Sequence, residues 1–252
     1  MSKLKDIVSF INEYLKVDQF QDYCPNGLQV EGNNQVNHIV SGVSASYELF
    51  EKAHKIDGDL ILVHHGLIWG NNPITITGNF KRRLKILLDH SISLIAYHLP
   101  LDAHEEVGNN AIIAKQLELV DTKTFAKYKG RDIGVTGFLK NELSLIDIEN
   151  IVKSLFNANL TSYPFGNSTI KKIAVVSGGA SEQLIAASER ECDLFLTGEV
   201  SESTMHLAKE EKINFIAAGH YNTEKLGVQA ISERVAKEFN IKHTFIDIPN
   251  TV

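Results

Sequence analysis

Short apolar runs rich in β-branched residues recur along the chain, among them "HIVSGV", "LILVHH", "SLIAYH", "KIAVVS", "DLFLTGE", "NFIAAGH" and "HTFIDI". Stretches with apolar residues at helical spacing separate them. This alternation predicts parallel strands joined by crossover helices, and runs apolar at every position predict strands covered on both faces. At the N-terminus, Leu4, Ile7, Val8, Ile11 and Leu15 follow a 3.6-residue period, which predicts an amphipathic helix and not a signal-peptide core.

The pattern repeats. "HIVSGVSASYELFEKAHKIDGDLILVHH", from His38, aligns with "KIAVVSGGASEQLIAASERECDLFLTGE", from Lys172, at a constant offset of 134. Ile39 meets Ile173, Glu48 meets Glu182, Ala53 meets Ala187, Asp59 meets Asp193, Leu60 meets Leu194 and Leu62 meets Leu196. After a one-residue shift, His98 also pairs with His220 and Asp102 with Glu224. The expected architecture is therefore α/β: two similar units, residues 1–126 and 127–252, of mostly parallel strands flanked by helices. "KYKGRDIGVTGFLKNELSL" carries the chain between them, although "IGVTGFL" can itself form a strand. The last helix and strand, about residues 225–252, can pack with the first unit.

Composition narrows the classes. The formal charge is −6, from 31 acidic and 25 basic residues, so no positive field attracts phosphate backbones and nucleic-acid binding is disfavoured. Two cysteines without a CxxC pair indicate neither a disulfide framework nor a thiolate zinc site, and point to the reducing cytoplasm. No apolar run reaches the roughly 20 residues of a membrane span.

The chemistry gathers where α/β folds place their ligands, beyond the carboxyl ends of strands. His64 and His65 follow "LILV", His98 and Asp102 follow "LIAY", Glu199 follows "LFLTG", and His220 and Glu224 follow "FIAAG". Imidazole and carboxylate suit borderline divalent metals such as Zn, Fe or Mn. One strand-end histidine is more often structural; three such ends arranged in a repeat favour metal. Adjacent strand residues point apart, so a turn beginning near Gly66 is expected to turn both rings into one cleft. The number of donors suggests two ions per chain, with Glu224 able to bridge metals about 3.5–4 Å apart.

The other motifs are read more plainly. Trp69 suits a lid, a base-stacking platform, the core or a subunit interface. The basic cluster Lys81–Lys85 reads as a solvated helix face. "SGGAS", at Ser177 to Ser181, lacks a phosphate-loop pattern and reads as tight strand–helix packing. His38, His54, His90, His104 and His243 read as surface or second-layer residues.

"HHGLIW", "YHLPLDAH", "GHYNTEKLGVQAI", "YCPNGLQVEG" and "LTGE" together resemble the YbgI-like, or Nif-three-like, family, known as GTP cyclohydrolase 1 type 2 homologues. The resemblance spans nearly the whole chain. It implies two similar α/β domains, a dinuclear metal cleft between them and a toroidal homohexamer. Carried over, the metal ligands are His64, His65, Asp102, His220 and the bridging Glu224, with His98 close by and Glu199 a cleft residue. Gly66 stands where many members have proline. The connection from Val120 to Ile173 is too short for the domain that longer relatives insert.

The resulting expectation is a metal-dependent hydrolase using a metal-activated water on a nucleotide or other heterocyclic small molecule. His98 and Glu199 are its candidate proton-transfer residues. The alternative is a non-enzymatic metal-binding or regulatory protein, which would carry metal without turnover.

Overall fold

The computed structural model of the chain describes residues 2–70 and 75–252. It divides into two compact units: residues 1–101 with 227–249, and residues 102–226 with 250–252. Residues 102–126 thus group with the second unit, and most of the final helix and the last strand group with the first.

In the first unit the sheet order is Lys242–Phe245, His38–Ser44, Leu60–His65, Ser93–Ala96, Gly27–Val30. The first four strands run parallel and the last is antiparallel. Val40, Ile61, Val63, Leu94 and Ala96 feed one buried cluster. Their neighbours Ile39, Leu60, Leu62 and Ile95 are also fully buried. Alternate side chains on a strand face opposite ways, so burial of both sets explains why these runs are apolar throughout.

The N-terminal helix, Leu4–Tyr14, buries Leu4, Ile7 and Ile11, as its periodicity predicts. Helix Tyr47–Lys55 begins at Ser46, whose side chain accepts the Leu49 N–H, and buries Leu49, Phe50 and Ala53. The basic cluster lies on helix Gly78–Asp89, where Lys85 pairs with Asp89 at 2.6 Å and Arg82 lies over the Tyr47 ring.

In the second unit the order is Val120–Tyr128, Arg131–Ser144, Thr169–Val175, Leu194–Thr197, Asn214–Ala217, Thr161–Pro164. Only the pairings of Thr169–Val175 with Leu194–Thr197, and of that strand with Asn214–Ala217, are parallel. The other three pairings are antiparallel, so the mostly parallel arrangement expected of both units is corrected here. The segment expected to cross between units is instead the turn and second arm of a β-hairpin. Lys129 and Gly130, with φ of 44° and 90°, occupy the two positive-φ positions of its tight turn. Alternating strand residues again separate: Ile173, Val175, Leu194, Leu196 and Ile216 enter one cluster, and Ala174, Val176, Phe195, Phe215 and Ala217 another.

Aligned positions do the same work in the two sheets. Ile39 faces Leu60 in the first and Ile173 faces Leu194 in the second. Asp59 accepts the N–H groups of Asn37 and His38, and Asp193 accepts those of Lys171 and Lys172. Among the described residues no helix is long and apolar enough to cross a membrane.

Candidate metal centre

In the first unit, strand Leu60–His65 runs through both histidines, so no turn is needed before His65. Their ring centroids are nevertheless only 4.8 Å apart. His98, two residues beyond strand Ser93–Ala96, completes the group: one donor atom from each of His64, His65 and His98 lies within 4.8 Å of the other two. Each ring is oriented through Nδ1. That of His64 is 2.9 Å from the Tyr97 carbonyl, that of His65 is 3.0 Å from Ser44 Oγ, and that of His98 is 3.0 and 3.2 Å from the Asp22 carboxylate oxygens. A carbonyl cannot donate, so His64 carries its proton on Nδ1 and its lone pair on Nε2, the form that ligates metal.

Asp22 was not legible as a site residue. Its buried carboxylate accepts from His98 Nδ1, Asn26 Nδ2 and the N–H groups of Tyr23, Cys24 and Leu99. Burial pushes its pKa up, but the bonds from His98, Asn26 and Leu99 and the His98 charge outweigh this and hold it at about 2. Asn26 also accepts the His98 N–H at 2.8 Å. A Cβ on Gly66 would collide with the Gln29 amide, so a side chain there would require Gln29 to shift. Gln29 Oε1 in turn accepts the Leu67 and Ile68 N–H groups.

In the second unit, helix His220–Phe239 begins at the predicted ligand pair. The i,i+4 spacing puts His220 and Glu224 on one helix face, with Nε2 and Oε2 2.9 Å apart. His220 Nδ1 bonds Glu199, which makes Glu199 the residue that orients this ring. Burial opposes a charged His220, but Glu224 and Glu199 prevail and raise its pKa to about 9. Asp102 Oδ1 accepts from Asn109 at 2.8 Å and Ser177 at 3.0 Å, and a carboxylate oxygen of Asp102 lies within 4.8 Å of one of Glu224.

"SGGAS" contributes more than packing. Gly178, at φ +69°, leaves the space used by Glu224: a Cβ there would lie 2.1 Å from Glu224 Oε1 and 3.3 Å from His220 Nε2. Its N–H donates to Thr223 Oγ1. The donor types and their orienting partners fit divalent metal, and within the first unit His64, His65 and His98 already bring three donor atoms together. The histidines expected to stand apart have structural partners: His54 and His90 stack on each other, His38 Nε2 bonds Thr244, His243 Nε2 bonds Ser41, and His104 Nδ1 accepts the Glu106 and Val107 N–H groups.

Comparison with known proteins follows the same residues. The model of the Duf34/NIF3 (NGG1p interacting factor 3) family matches residues 2–251. A Pseudomonas aeruginosa protein named GTP cyclohydrolase 1 type 2 homolog is 45% identical over 248 residues, covering 98% of each chain. An Archaeoglobus fulgidus protein of the same name is 40% identical, covering 99% of each. Among solved structures, the protein ybgI, described as of unknown function, superposes with a TM-score of 0.92 at 36% identity, covering 99% of this chain and all of that one. TTHA1606 from Thermus thermophilus superposes at 0.91 and 35%, with the same coverage.

Two outcomes follow from this geometry. Asp22→Asn should lower stability to urea by about 1–3 kcal/mol at neutral pH, because a charged acceptor of several buried donors is lost. The native pKa lies below the ordinary 3.8, so the contribution is complete above that value and is lost as pH falls through about 2. Urea titrations of both proteins across the acid range should therefore converge at the acid end; a gap independent of pH would refute the assignment. Gly178→Ala should displace the Glu224 carboxylate and reduce retained metal while leaving the circular dichroism spectrum unchanged. Metal content equal to wild type would refute the cradle.

Proposed function

Because the chain belongs to the Duf34/NIF3 family, we propose that it is a dinuclear divalent-metal protein acting as a metal-dependent hydrolase on a nucleotide or related heterocycle. The observation that carries this reading is the convergence of His64, His65 and His98 donor atoms, with the His64 lone pair directed to Nε2 by the Tyr97 carbonyl. In this reading His64, His65, Asp102, His220 and Glu224 would hold the ions. The matching roles of Asp59 and Asp193 support the two units as copies of one ancestral module. The homohexamer belongs to the same reading.

Bound divalent metal would supply a water of lowered pKa and polarisation of the group under attack. The chain's part is orientation and proton handling. Glu199 fixes the His220 ring through Nδ1. Asn109 and Ser177 fix the Asp102 carboxylate, which leaves its charge directed at the ligand position. His98, tied to Asp22 through Nδ1, exchanges a proton at Nε2. The relatives' name directs the first substrate trial to GTP.

Elemental analysis of untagged protein should give about two ions per chain, as the dinuclear reading expects. The Glu224→Gln variant should lose at least half of them, together with any turnover of GTP and other nucleotides. Wild-type protein that remains metal-free after anaerobic reconstitution with Zn, Fe(II) and Mn would overturn the reading. Loaded protein that transfers metal to an acceptor but turns over no substrate would replace the hydrolase with a carrier.

A further inference from the structure

Large exposed hydrophobic side chains are scattered over the described residues, and nearly all are aliphatic. The two aromatic ones are Tyr23 and Trp69, 39% and 41% exposed. They are neighbours, with centroids 5.2 Å apart at 81°. Both also meet His98, Tyr23 at 5.2 Å and Trp69 at 5.0 Å, while Trp69 lies 5.6 Å from His65. The chain's single tryptophan therefore stands beside two of the three convergent histidines.

The pair is held by its backbone. The Gly70 N–H donates to the Tyr23 carbonyl at 2.7 Å, which ties the segment carrying Trp69 to that carrying Tyr23. Gln29 accepts the Leu67 and Ile68 N–H groups from the other side. The Tyr23 N–H donates at 2.7 Å to Asp22, the carboxylate that also orients His98. One buried charge thus sets both the histidine and the aromatic pair. Two partly exposed aromatic side chains side by side, in a surface whose other large exposed apolar side chains are aliphatic, are a place where a flat ring can pack.

We infer that Tyr23 and Trp69 form a stacking subsite for the planar, conjugated ring of a nitrogen heterocycle, placing that ring against His65 and His98. This deepens the hydrolase reading and rests on it: the ring, and not a phosphate, is the part of the substrate presented to the histidines. Trp69 is a specificity-determining residue in this arrangement.

The test uses metal-loaded full-length protein with guanosine monophosphate, nicotinamide mononucleotide and pterin as flat-ring compounds and ribose phosphate as the ring-free control. At least one ring compound should bind and quench Trp69 fluorescence saturably, and ribose phosphate should do neither. By equilibrium dialysis Trp69→Ala should bind that compound about tenfold or more weakly, the range expected for one lost stacking contact, and Trp69→Phe should recover most of the loss. Metal content should match wild type in both variants. The subsite is overturned if no ring compound binds, if Trp69→Ala binds as tightly as wild type, or if Trp69→Ala loses its metal, which would make the wall packing alone. Metal content read on the same samples separates the two ideas: intact metal without ring binding removes the subsite, and ring binding by a wild-type protein that takes up no metal removes the dinuclear centre.

Discussion

A carboxylate taken out of water must be surrounded by donors, and the arrangement of the first unit's site follows from how Asp22 meets that demand. Its oxygens collect a side-chain N–H from His98, the Asn26 amide and three backbone N–H groups. Each bond fixes a different part of the site: the His98 ring, the start of the turn after Tyr97, and the segment that carries Tyr23. An ionised group with this many donors is worth far more in place than displaced, because removing any partner leaves charge buried without compensation. The loop between Tyr23 and Gly27 is therefore held by electrostatics, with little apolar burial of its own beyond Cys24.

The second unit solves the complementary problem of bringing like charges together. Asp102 and Glu224 approach each other, and neighbours that donate hydrogen bonds or carry positive charge make this tolerable. Asn109 and Ser177 donate to Asp102, and a protonated His220 stands against Glu224 with Glu199 behind it. Space is as important as charge: Gly178 provides it through a backbone conformation that other residues adopt only under strain.

Much of this was legible in the chain. Apolar runs with both faces buried located the central strands, and Leu4, Ile7 and Ile11 located the first helix. The strand-end rule singled out His64, His65, His98, Asp102, Glu199, His220 and Glu224 as candidates, because strand ends are set by local periodicity and by the general behaviour of α/β sheets. The i,i+4 spacing of His220 and Glu224 carried more than was taken from it, since on a helix it puts both on one face. The antiparallel hairpin was read as a connection because "KYKGRD" has the glycine and charges of a loop, while its pairing partners lie elsewhere in sequence.

The sequence by itself determined the alternation of elements and the residue types available for metal, since each depends on spacing along one strand or helix. Tertiary structure alone decided which residues hold those side chains in place. Asp22 is far from His98 in sequence, Ser177 from Asp102, and Gly178 from Glu224, and no local pattern encodes a hydrogen bond or a missing Cβ across such separations. It likewise decided that Tyr23 and Trp69 share one exposed corner beside His98, because that contact arises only when the loop after strand Leu60–His65 folds back onto the segment ahead of Gly27.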